Sequence, residues 1–501
     1  MVTTPASIIE NRLRKQRYLW SILVIAFASR LGLSIAVWGN PAAALGPDSW
    51  SYMEPARNLL TTGAFWRGGL ATGQPELLRT PGYPLFLLLF GLGQNYSYGL
   101  IQIAQVGLGV AIVFLTYALG ARLVNRTVGL WAAGLQSISI GSVLSSIWIM
   151  SDCLFSFLLA LALLMLVRYF QEGSGWPIPL AAALTAAATY VRPVGMVFVP
   201  LVLAVLLLFR PREWARAAAF ALIFAALVTP WYVRNHSAGY DGFSSVGDQN
   251  LLSYEGPGVL AVVEKIPVKQ AKQELEDFHA RRIRDLNVRP DSGPAMKLAS
   301  EIAKRIVFAH PLVWLQVHLV TSLNAMLPAT PGMLQSLGIT QGYKGTLAVL
   351  QRQGLAAAIK IYFGGNLKAL LLVTPELILL AIEYGLCALF AFVTIRRHKL
   401  NWGRAGWLMA LTVLAFIFVS GTTGMPRFRV PVEPLLNIAA AGGLMSIAGR
   451  TRENGLKSGR AQNAVVPDRE ALPRAAREAM TMPRNVPMAS IPTSGNSNSL
   501  P

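Results

Sequence analysis

Residues 47–84 read PDSWSYMEPARNLLTTGAFWRGGLATGQPELLRTPGYP and directly follow the first long apolar segment of the chain. In this position the acid Asp48 and the arginine Arg79 are expected to lie at a membrane surface. Aromatic side chains accompany them in the same stretch, namely Trp50, Tyr52 and Trp66. Charged and aromatic groups held at a membrane surface are suited to chemistry on lipid-linked substrates.

The composition excludes an ordinary soluble protein. Of the 501 residues, 53% are hydrophobic and only 14% are charged. Apolar runs of the roughly 20 residues that span a bilayer core recur along the chain. The runs show no alternation with a period of two, and the backbone in lipid must satisfy its own hydrogen bonds, so we expect helices. The predicted fold class is an all-α polytopic membrane protein, a bundle of about ten to twelve spans.

The formal net charge of +20 would suggest a nucleic-acid partner in a soluble protein. Here the basic residues crowd the ends of apolar runs, so membrane orientation explains them and no nucleic acid is predicted. The positive-inside rule then makes the first 17 residues cytoplasmic and puts Asp48 outside. The two cysteines, Cys153 and Cys387, lie in or beside apolar runs and predict neither a disulfide framework nor a thiolate metal site.

The chain divides into five segments by composition. The apolar run at 18–38 is longer than the h-region of a signal peptide, which favours an uncleaved anchor. Arg192-Pro193 breaks one later apolar stretch at the outer surface, because proline disfavours the helical state of the residue before it. In order we expect a cytoplasmic N-terminus at 1–17, a transmembrane module at 18–233 with its first outer loop at 39–81, an outer segment at 234–310, a C-terminal transmembrane module at 311–448, and a disordered cytoplasmic tail at 449–501.

Helical periodicity and turn signals give approximate bounds for the helices. The stretch 311–366 must cross the membrane twice or not at all, because basic residues follow the run that ends at Thr394. The predicted helices are 18–38, 49–61 in the interface, 98–119, 128–150, 153–169, 177–191, 193–209, 214–233, 265–286, 295–308, 370–394, 405–420 and 430–447.

Under this topology an unusual set of polar residues falls in outer turns. Guanidinium groups suit phosphate, and nearby carboxylates serve as a general base or bind sugar hydroxyls. Simpler interpretations exist: the acids cap helices, the arginines snorkel to headgroups, and Tyr83 belongs to an interfacial aromatic belt. The residues are Asp48, Arg79, Tyr83, Asp152, Arg192, Arg234, Asn235, Arg427 and Arg429.

Two acids lie inside a predicted span. Glu376 and Glu383 are seven residues apart and so share one face of a helix. An acid within a span is a functional hypothesis by default. The alternative, which we favour, is that they pair with Arg427 or Arg429 to hold helices together.

Six blocks of sequence stand out together by their order and spacing. The blocks are PDSWSYMEPARNLLTTGAF, RTPGYPLF, IMSDCLFSFLLALAL, YVRPVGM, TPWYVRN and MPRFRVPVEPLL. Taken in order, they resemble the GT-C superfamily of polytopic glycosyltransferases. The similarity is to the branch that contains protein O-mannosyltransferases and the aminoarabinose transferase of lipid A, it covers about residues 18–446, and no single block carries it.

The resemblance implies a function. Members use polyprenyl-phosphate-linked sugars as donors and transfer the sugar on the outer face of the membrane. For this chain it implies a multi-pass protein of a bacterial cytoplasmic membrane, with its active site facing the periplasm. The partners implied are the lipid-linked donor, membrane lipids, and a glycan, lipid or protein acceptor bearing a hydroxyl.

The resemblance also implies residue roles. The family's first-loop acid falls on Asp48, implying a role as catalytic base or as a carboxylate that orients the acceptor. Its second outer-loop acid falls on Asp152, which is the other predicted catalytic residue. Arg79 stands where the aminoarabinose transferase has a phosphate-binding lysine. Leu78 replaces the acid that precedes that lysine, so no metal site and no cofactor are predicted, and a divalent metal is left open.

The remaining site residues are inferred from position and charge. The predicted donor-phosphate ligands are Arg79, Arg192, Arg427 and Arg429, and the predicted substrate-binding residues are Tyr52, Tyr83, Arg234 and Glu383. A lipid-linked-sugar flippase or transporter is one rival, for which Glu376, Glu383 and His318 are the candidate midplane groups. An O-antigen-type polymerase or ligase is another, and it would need a diphosphate-linked glycan.

Overall fold

A computed structural model describes residues 5–68, 73–91, 98–209, 211–336, 367–398 and 403–462, with a few isolated residues between 349 and 360. The chain divides into two compact units, Met1–Ser446 and Ile447–Pro501. All contacts described below lie within the first unit.

The described residues are overwhelmingly helical. Two short strands, β1 (Trp66–Arg67) and β2 (Gln74–Pro75), pair antiparallel in the first outer loop. The helices are α1 (Pro5–Trp38), α2 (Ser49–Thr62), α3 (Gly82–Leu89), α4 (Gly99–Leu123), α5 (Arg126–Ile138), α6 (Ile140–Ser145), α7 (Asp152–Glu172), α8 (Pro177–Val191), α9 (Phe198–Phe209), α10 (Trp214–Ser237), α11 (Val246–Asn250), α12 (Gly256–Val263), α13 (Val268–Asp285), α14 (Gly293–Ala309), α15 (Pro311–Ser322), α16 (Thr330–Ser336), α17 (Leu367–His398), α18 (Gly403–Ser420) and α19 (Glu433–Gln462).

The lengths and hydropathies of these helices make the chain a polytopic membrane protein, as predicted. Within the described ranges seven helices are long and apolar enough to cross a bilayer, or up to eight if α14 and α15, which meet at a bend of 104°, form one broken span. The apolar helix α8 and the apolar stretch Pro193–Phe209 are shorter. The predicted ten to twelve spans stay a prediction, because residues 337–366 are largely outside the described ranges.

The predicted helix 128–150 is wrong in its middle. The chain forms α5, breaks at Ser139, forms the short α6 and then turns until α7 begins. Arg30 of α1, which is 0% exposed, fills the break and donates to the carbonyl oxygen of Ser137 at 3.1 Å and to Ser142 Oγ at 3.0 Å. Broken backbone at membrane depth is tolerated where protein groups satisfy it. Arg30, which lies 107 positions before Ser137 in the chain, therefore stabilises this break.

Other elements differ from their predicted bounds at the ends. Helix α1 begins at Pro5 rather than at residue 18. The predicted helix 430–447 begins as a 3₁₀ segment, Pro426–Val432, and α19 then continues past Arg450, where a disordered tail was predicted. Residues 463–501 of that tail lie outside the described residues.

The outer segment 234–310 folds as a cluster of short helices, α11 to α14, with one π-helical turn at Leu251–Glu255. Its small core contains Leu252, Leu275 and Ala299. The predicted helices at 265–286 and 295–308 correspond to α13 and α14.

The main core forms around α7, which packs against α4 and α8. Helix α4 also packs closely on α5, because glycines face each other there. A β-carbon placed on Gly129 would lie 2.6 Å from the carbonyl oxygen of Tyr117, and one on Gly120 would lie 2.9 Å from Gly129 Cα. Small residues at such crossings allow helix backbones to approach.

We expect Gly129→Ala to lower the melting temperature of the detergent-solubilised protein. The added methyl group meets α4 backbone that cannot move aside, and such overpacking costs about 1–3 kcal/mol. Gly134→Ala is the matched control in the same helix, because a β-carbon there meets nothing within 4 Å. Equal melting temperatures for the two variants would contradict this packing.

Candidate active site

The carboxylate of Asp48 forms ion pairs with two arginines from distant parts of the chain. Arg79 lies in the first outer loop, and Arg427 lies in the 3₁₀ segment Pro426–Val432. Arg79 Nη2 lies 3.0 Å from Asp48 Oδ1, and Arg427 Nη2 lies 2.6 Å from Asp48 Oδ2. Asp48 occupies the N-cap position of α2, but its side chain makes no capping hydrogen bond. The helix-cap interpretation therefore does not describe what this carboxylate does.

Arg79 is held by the helix that Asp48 precedes. Its Nε donates to Ser51 Oγ at 2.8 Å, and its Nη1 donates to the hydroxyl of Tyr52 at 3.3 Å. The guanidinium carbon lies 4.5 Å from the centroid of the Tyr52 ring. The Tyr52 hydroxyl is in turn 2.9 Å from Ser151 Oγ, next to α7. Arg79 is thus fixed by contacts that do not involve Asp48.

Glu76 shapes the turn that presents Arg79, and sequence reasoning missed it. Its Oε1 accepts hydrogen bonds from the backbone amides of Leu78 at 2.6 Å and Arg79 at 2.9 Å. The side chain is 1% exposed, and burial raises the pKa of Glu76, although the amide of Arg79 acts in the opposite direction. An acid three residues before an arginine in a turn is a weak signal, because its partners are backbone groups.

Gly82 brings this turn against the end of α8. A β-carbon on Gly82 would lie 2.6 Å from the carbonyl oxygen of Tyr190, two residues before Arg192. The RTPG motif therefore places Arg79 beside the break at Arg192-Pro193, where Arg192 has extended backbone geometry. Two basic residues far apart in the sequence share one region as a result.

Asp152 and Arg192 form the second ion pair of the site. Arg192 Nη1 donates to Asp152 Oδ1. Asp152 is 1% exposed, and its Oδ2 has no hydrogen-bond partner among the described residues. The Arg192 guanidinium carbon lies 5.3 Å from the Phe428 ring, and that of Arg427 lies 5.1 Å from the same ring. Phe428 thus lies between the two arginines.

The electrostatics of the first ion pair follow from its two cations. Burial by itself would raise the pKa of Asp48, but Arg427 and Arg79 outweigh that effect and hold the pKa well below its usual range. The carboxylate is therefore ionised at any physiological pH. Arg427 keeps a buried Nε that has no hydrogen-bond partner within the described part of the chain.

Residues of these ion pairs line two cavities. The first cavity, of about 140 Å³, is lined by Arg79, Arg192, Tyr52 and apolar side chains that include Phe155, Phe416 and Phe428. The second cavity, of about 450 Å³, is lined by Asp152, Arg427, Pro47, Trp148, Ser145 and Gly332 among others. Asp48 itself lines neither cavity, but Arg79 lines the first and Arg427 lines the second.

Arg429, a predicted phosphate ligand, lies elsewhere. It is 2% exposed, and it donates from Nε to Glu433 Oε1 at 3.2 Å and from Nη1 to the carbonyl oxygen of Leu327 at 3.0 Å. Glu376 accepts the backbone amides of Ala329 and Thr330, both at 2.8 Å, and lies 4.0 Å from Arg429. These buried contacts agree with the interpretation favoured from the sequence, in which Glu376 pairs with an arginine and holds helices together.

Three predicted substrate-binding residues also line neither cavity. Arg234 donates to the carbonyl oxygens of Glu76 at 2.6 Å and Phe65 at 2.9 Å, so it supports the first outer loop. Tyr83 is 0% exposed and donates to Gln105 Oε1 at 2.7 Å. Glu383 lies on α17, the helix that carries Glu376. Among the predicted substrate-binding residues, only Tyr52 reaches a cavity described above.

No group of three or more His, Cys, Asp or Glu side chains in the described ranges is placed to hold a metal ion. The two acids at the site, Asp48 and Asp152, contact arginines instead.

The sequence matches no protein-family model and no curated protein. Solved structures that match this chain include the following three. An oligosaccharyltransferase of Archaeoglobus fulgidus, tethered with an acceptor peptide, aligns over 92% of this chain and 53% of its own, with 13% identity and a TM-score of 0.50. The archaeal oligosaccharyltransferase AglB from Archaeoglobus fulgidus, in complex with an inhibitory peptide and a dolichol-phosphate, aligns over 93% of this chain and 54% of its own, with 15% identity and a TM-score of 0.49. ArnT from Cupriavidus metallidurans, bound to undecaprenyl phosphate, aligns over 82% of this chain and 77% of its own, with 13% identity and a TM-score of 0.33.

The chain spans about half the length of the archaeal proteins it matches. At these identities the similarity concerns the fold alone. The fold is similar to that of the archaeal oligosaccharyltransferase, over about half of that protein's length.

Proposed function

We propose that this protein is a membrane glycosyltransferase that moves a sugar from a polyprenyl-phosphate donor to a hydroxyl acceptor on the outer face of the cytoplasmic membrane. The observation that carries the proposal is the carboxylate of Asp48, held between Arg79, which lines the first cavity, and Arg427, which lines the second. A lipid, a glycan and a protein remain the candidate acceptors.

The first cavity suits the donor. Arg79 and Arg192 supply guanidinium forks, which match phosphate geometry better than an ammonium group does. The aromatic and aliphatic walls, which include Phe155 and Phe416, suit the first isoprene units of the carrier. The larger second cavity is then available to the acceptor, with Asp152 Oδ2 placed to accept a hydrogen bond from a sugar or acceptor hydroxyl.

The chemistry would be a single inverting displacement. Asp48 accepts the proton of the acceptor hydroxyl while that oxygen forms a bond to the anomeric carbon. The bond between the anomeric carbon and the phosphate oxygen breaks, and the lipid phosphate leaves with both electrons. The arginines Arg79, Arg192 and Arg427 stabilise the charge that gathers on the phosphate, so it needs no protonation.

The transporter alternative has weaker support. Two of its three candidate midplane groups, His318 and Glu376, are engaged with neighbouring protein groups. His318 Nδ1 is 3.0 Å from Glu255 Oε1, and its Nε2 is 2.8 Å from the carbonyl oxygen of Phe418. Glu376 accepts hydrogen bonds from two backbone amides, as described above.

The central experiment supplies purified protein in detergent with polyprenyl-phosphate sugars and follows release of polyprenyl phosphate together with transfer to envelope glycolipids, glycans or proteins. Turnover supports a transferase, since a transporter requires none. Turnover with polyprenyl-diphosphate glycans alone would instead favour the polymerase or ligase alternative.

Asp48→Asn is expected to lower transfer by about 100- to 10,000-fold, the usual contribution of a general base. The variant should still fold, and its melting temperature should be measured beside its turnover number. Asp277→Asn, an exposed acid of the outer segment, is the matched control and should transfer normally. Near-normal turnover of Asp48→Asn would refute the assigned role.

Glu76→Ala is expected to reduce kcat/KM for the donor by about tenfold or more. Two buried amides lose their acceptor, which costs about 1–3 kcal/mol, and the turn no longer presents Arg79. Glu76→Gln should recover most of the activity, because its side-chain oxygen can accept the same amides. If Ala and Gln variants behave alike while both remain folded, Glu76 does not position Arg79.

A further inference from the structure

We propose that Asp48 is an internal competitor of the donor phosphate: its carboxylate occupies Arg79 and Arg427 until the phosphate replaces it, and only then is it released to act on the acceptor. This inference rests on the proposed function and adds a regulation of the same site. It makes the base dependent on donor binding.

The first support is chemical likeness. Asp48 Oδ2 accepts a hydrogen bond from Arg427 at 2.6 Å, and Asp48 Oδ1 forms an ion pair with Arg79 at 3.0 Å. A phosphate monoester offers oxygens of the same kind and carries more negative charge, so it binds the same guanidinium forks. Carboxylate and phosphate therefore compete for one pair of cations.

The second support is the place of the bridge. Arg79 lines the first cavity and Arg427 lines the second, so the Asp48 bridge crosses the boundary between them. A sugar can pass from donor to acceptor only where the two substrates touch. The bridge must open at that boundary for transfer to occur.

The third support is the unequal anchoring of the three groups. The Asp48 side chain is 29% exposed, against 14% for Arg79 and 12% for Arg427. Arg79 keeps its bonds to Ser51 and Tyr52 when Asp48 leaves. Arg427 keeps its contacts with Phe428 and Met150 Sδ. Asp48, whose side chain makes no capping bond to α2, is the member that can swing away.

The exchange also restores basicity to Asp48. The charged groups that face it are Arg427, Arg79 and Arg192, with the Tyr52 hydroxyl nearby. While the two arginines hold the carboxylate, it is a poor proton acceptor. A bound phosphate takes up their charge and brings a negative charge of its own, and both effects raise the affinity of the carboxylate for a proton. Proton transfer from the acceptor thus waits for the donor.

The test measures binding of polyprenyl phosphate, without any sugar, to the purified full-length protein. If Asp48 competes, Asp48→Asn binds polyprenyl phosphate about tenfold or more tightly than the wild type does. A base that does not compete predicts an unchanged Kd. Asp277→Asn controls for the general effect of removing one outer negative charge and should leave Kd within about twofold.

A double-variant cycle locates the effect. In an Arg427→Gln background the gain from Asp48→Asn should shrink to about threefold or less, because one of the contested cations is gone. An unchanged or weaker Kd for Asp48→Asn in a folded protein overturns the competition but leaves the proposed function intact. Absence of polyprenyl-phosphate binding to the wild type overturns both.

Discussion

The structure depends on how buried charges are satisfied in the segments that join its helices. An ionised carboxylate or guanidinium withdrawn from water is costly unless it is paired and hydrogen-bonded. Asp48 meets that requirement by pairing with Arg79 in the first outer loop and with Arg427, which lies 379 residues after Asp48 in the chain. The pairing ties the first and last outer turns to each other, and Glu76 and Gly82 hold the loop in the position that the pairing needs.

Arg427 and Arg429 are only two positions apart, but the backbone directs one toward the candidate site and the other into protein contacts. Arg427 and Arg429 lie on the same 3₁₀ segment, Pro426–Val432, where residues two apart point in different directions. Arg427 faces Asp48 and the second cavity. Arg429 faces inward and donates hydrogen bonds to Glu433 and to backbone carbonyl oxygens. It is buried and lines neither cavity.

Irregular backbone surrounds the site, and each irregular piece has its own polar partner. In the turn before α7, the carbonyl oxygens of Ser146 and Trp148 accept hydrogen bonds from the side-chain amide of Gln105. The break at Ser139 is filled by Arg30. Such partners allow non-helical segments at membrane depth, and these segments place Asp152 and the second cavity. A fold shared with glycosyltransferases does not by itself define an activity, so the site carries the functional proposal.

The sequence by itself determined the apolar helices, the proline break after Arg192, and the polar residues Asp48, Arg79, Asp152, Arg192 and Arg427 that meet between the cavities. These are local properties: hydrophobic length, proline geometry and polar side chains placed in the turns between apolar runs. Only the tertiary structure decided that Arg429, Arg234 and Tyr83 bind protein groups, that Glu76 holds the Arg79 turn, and that α5 ends at Ile138. The partners in those cases are backbone groups or side chains distant in the chain, so no local pattern encodes them.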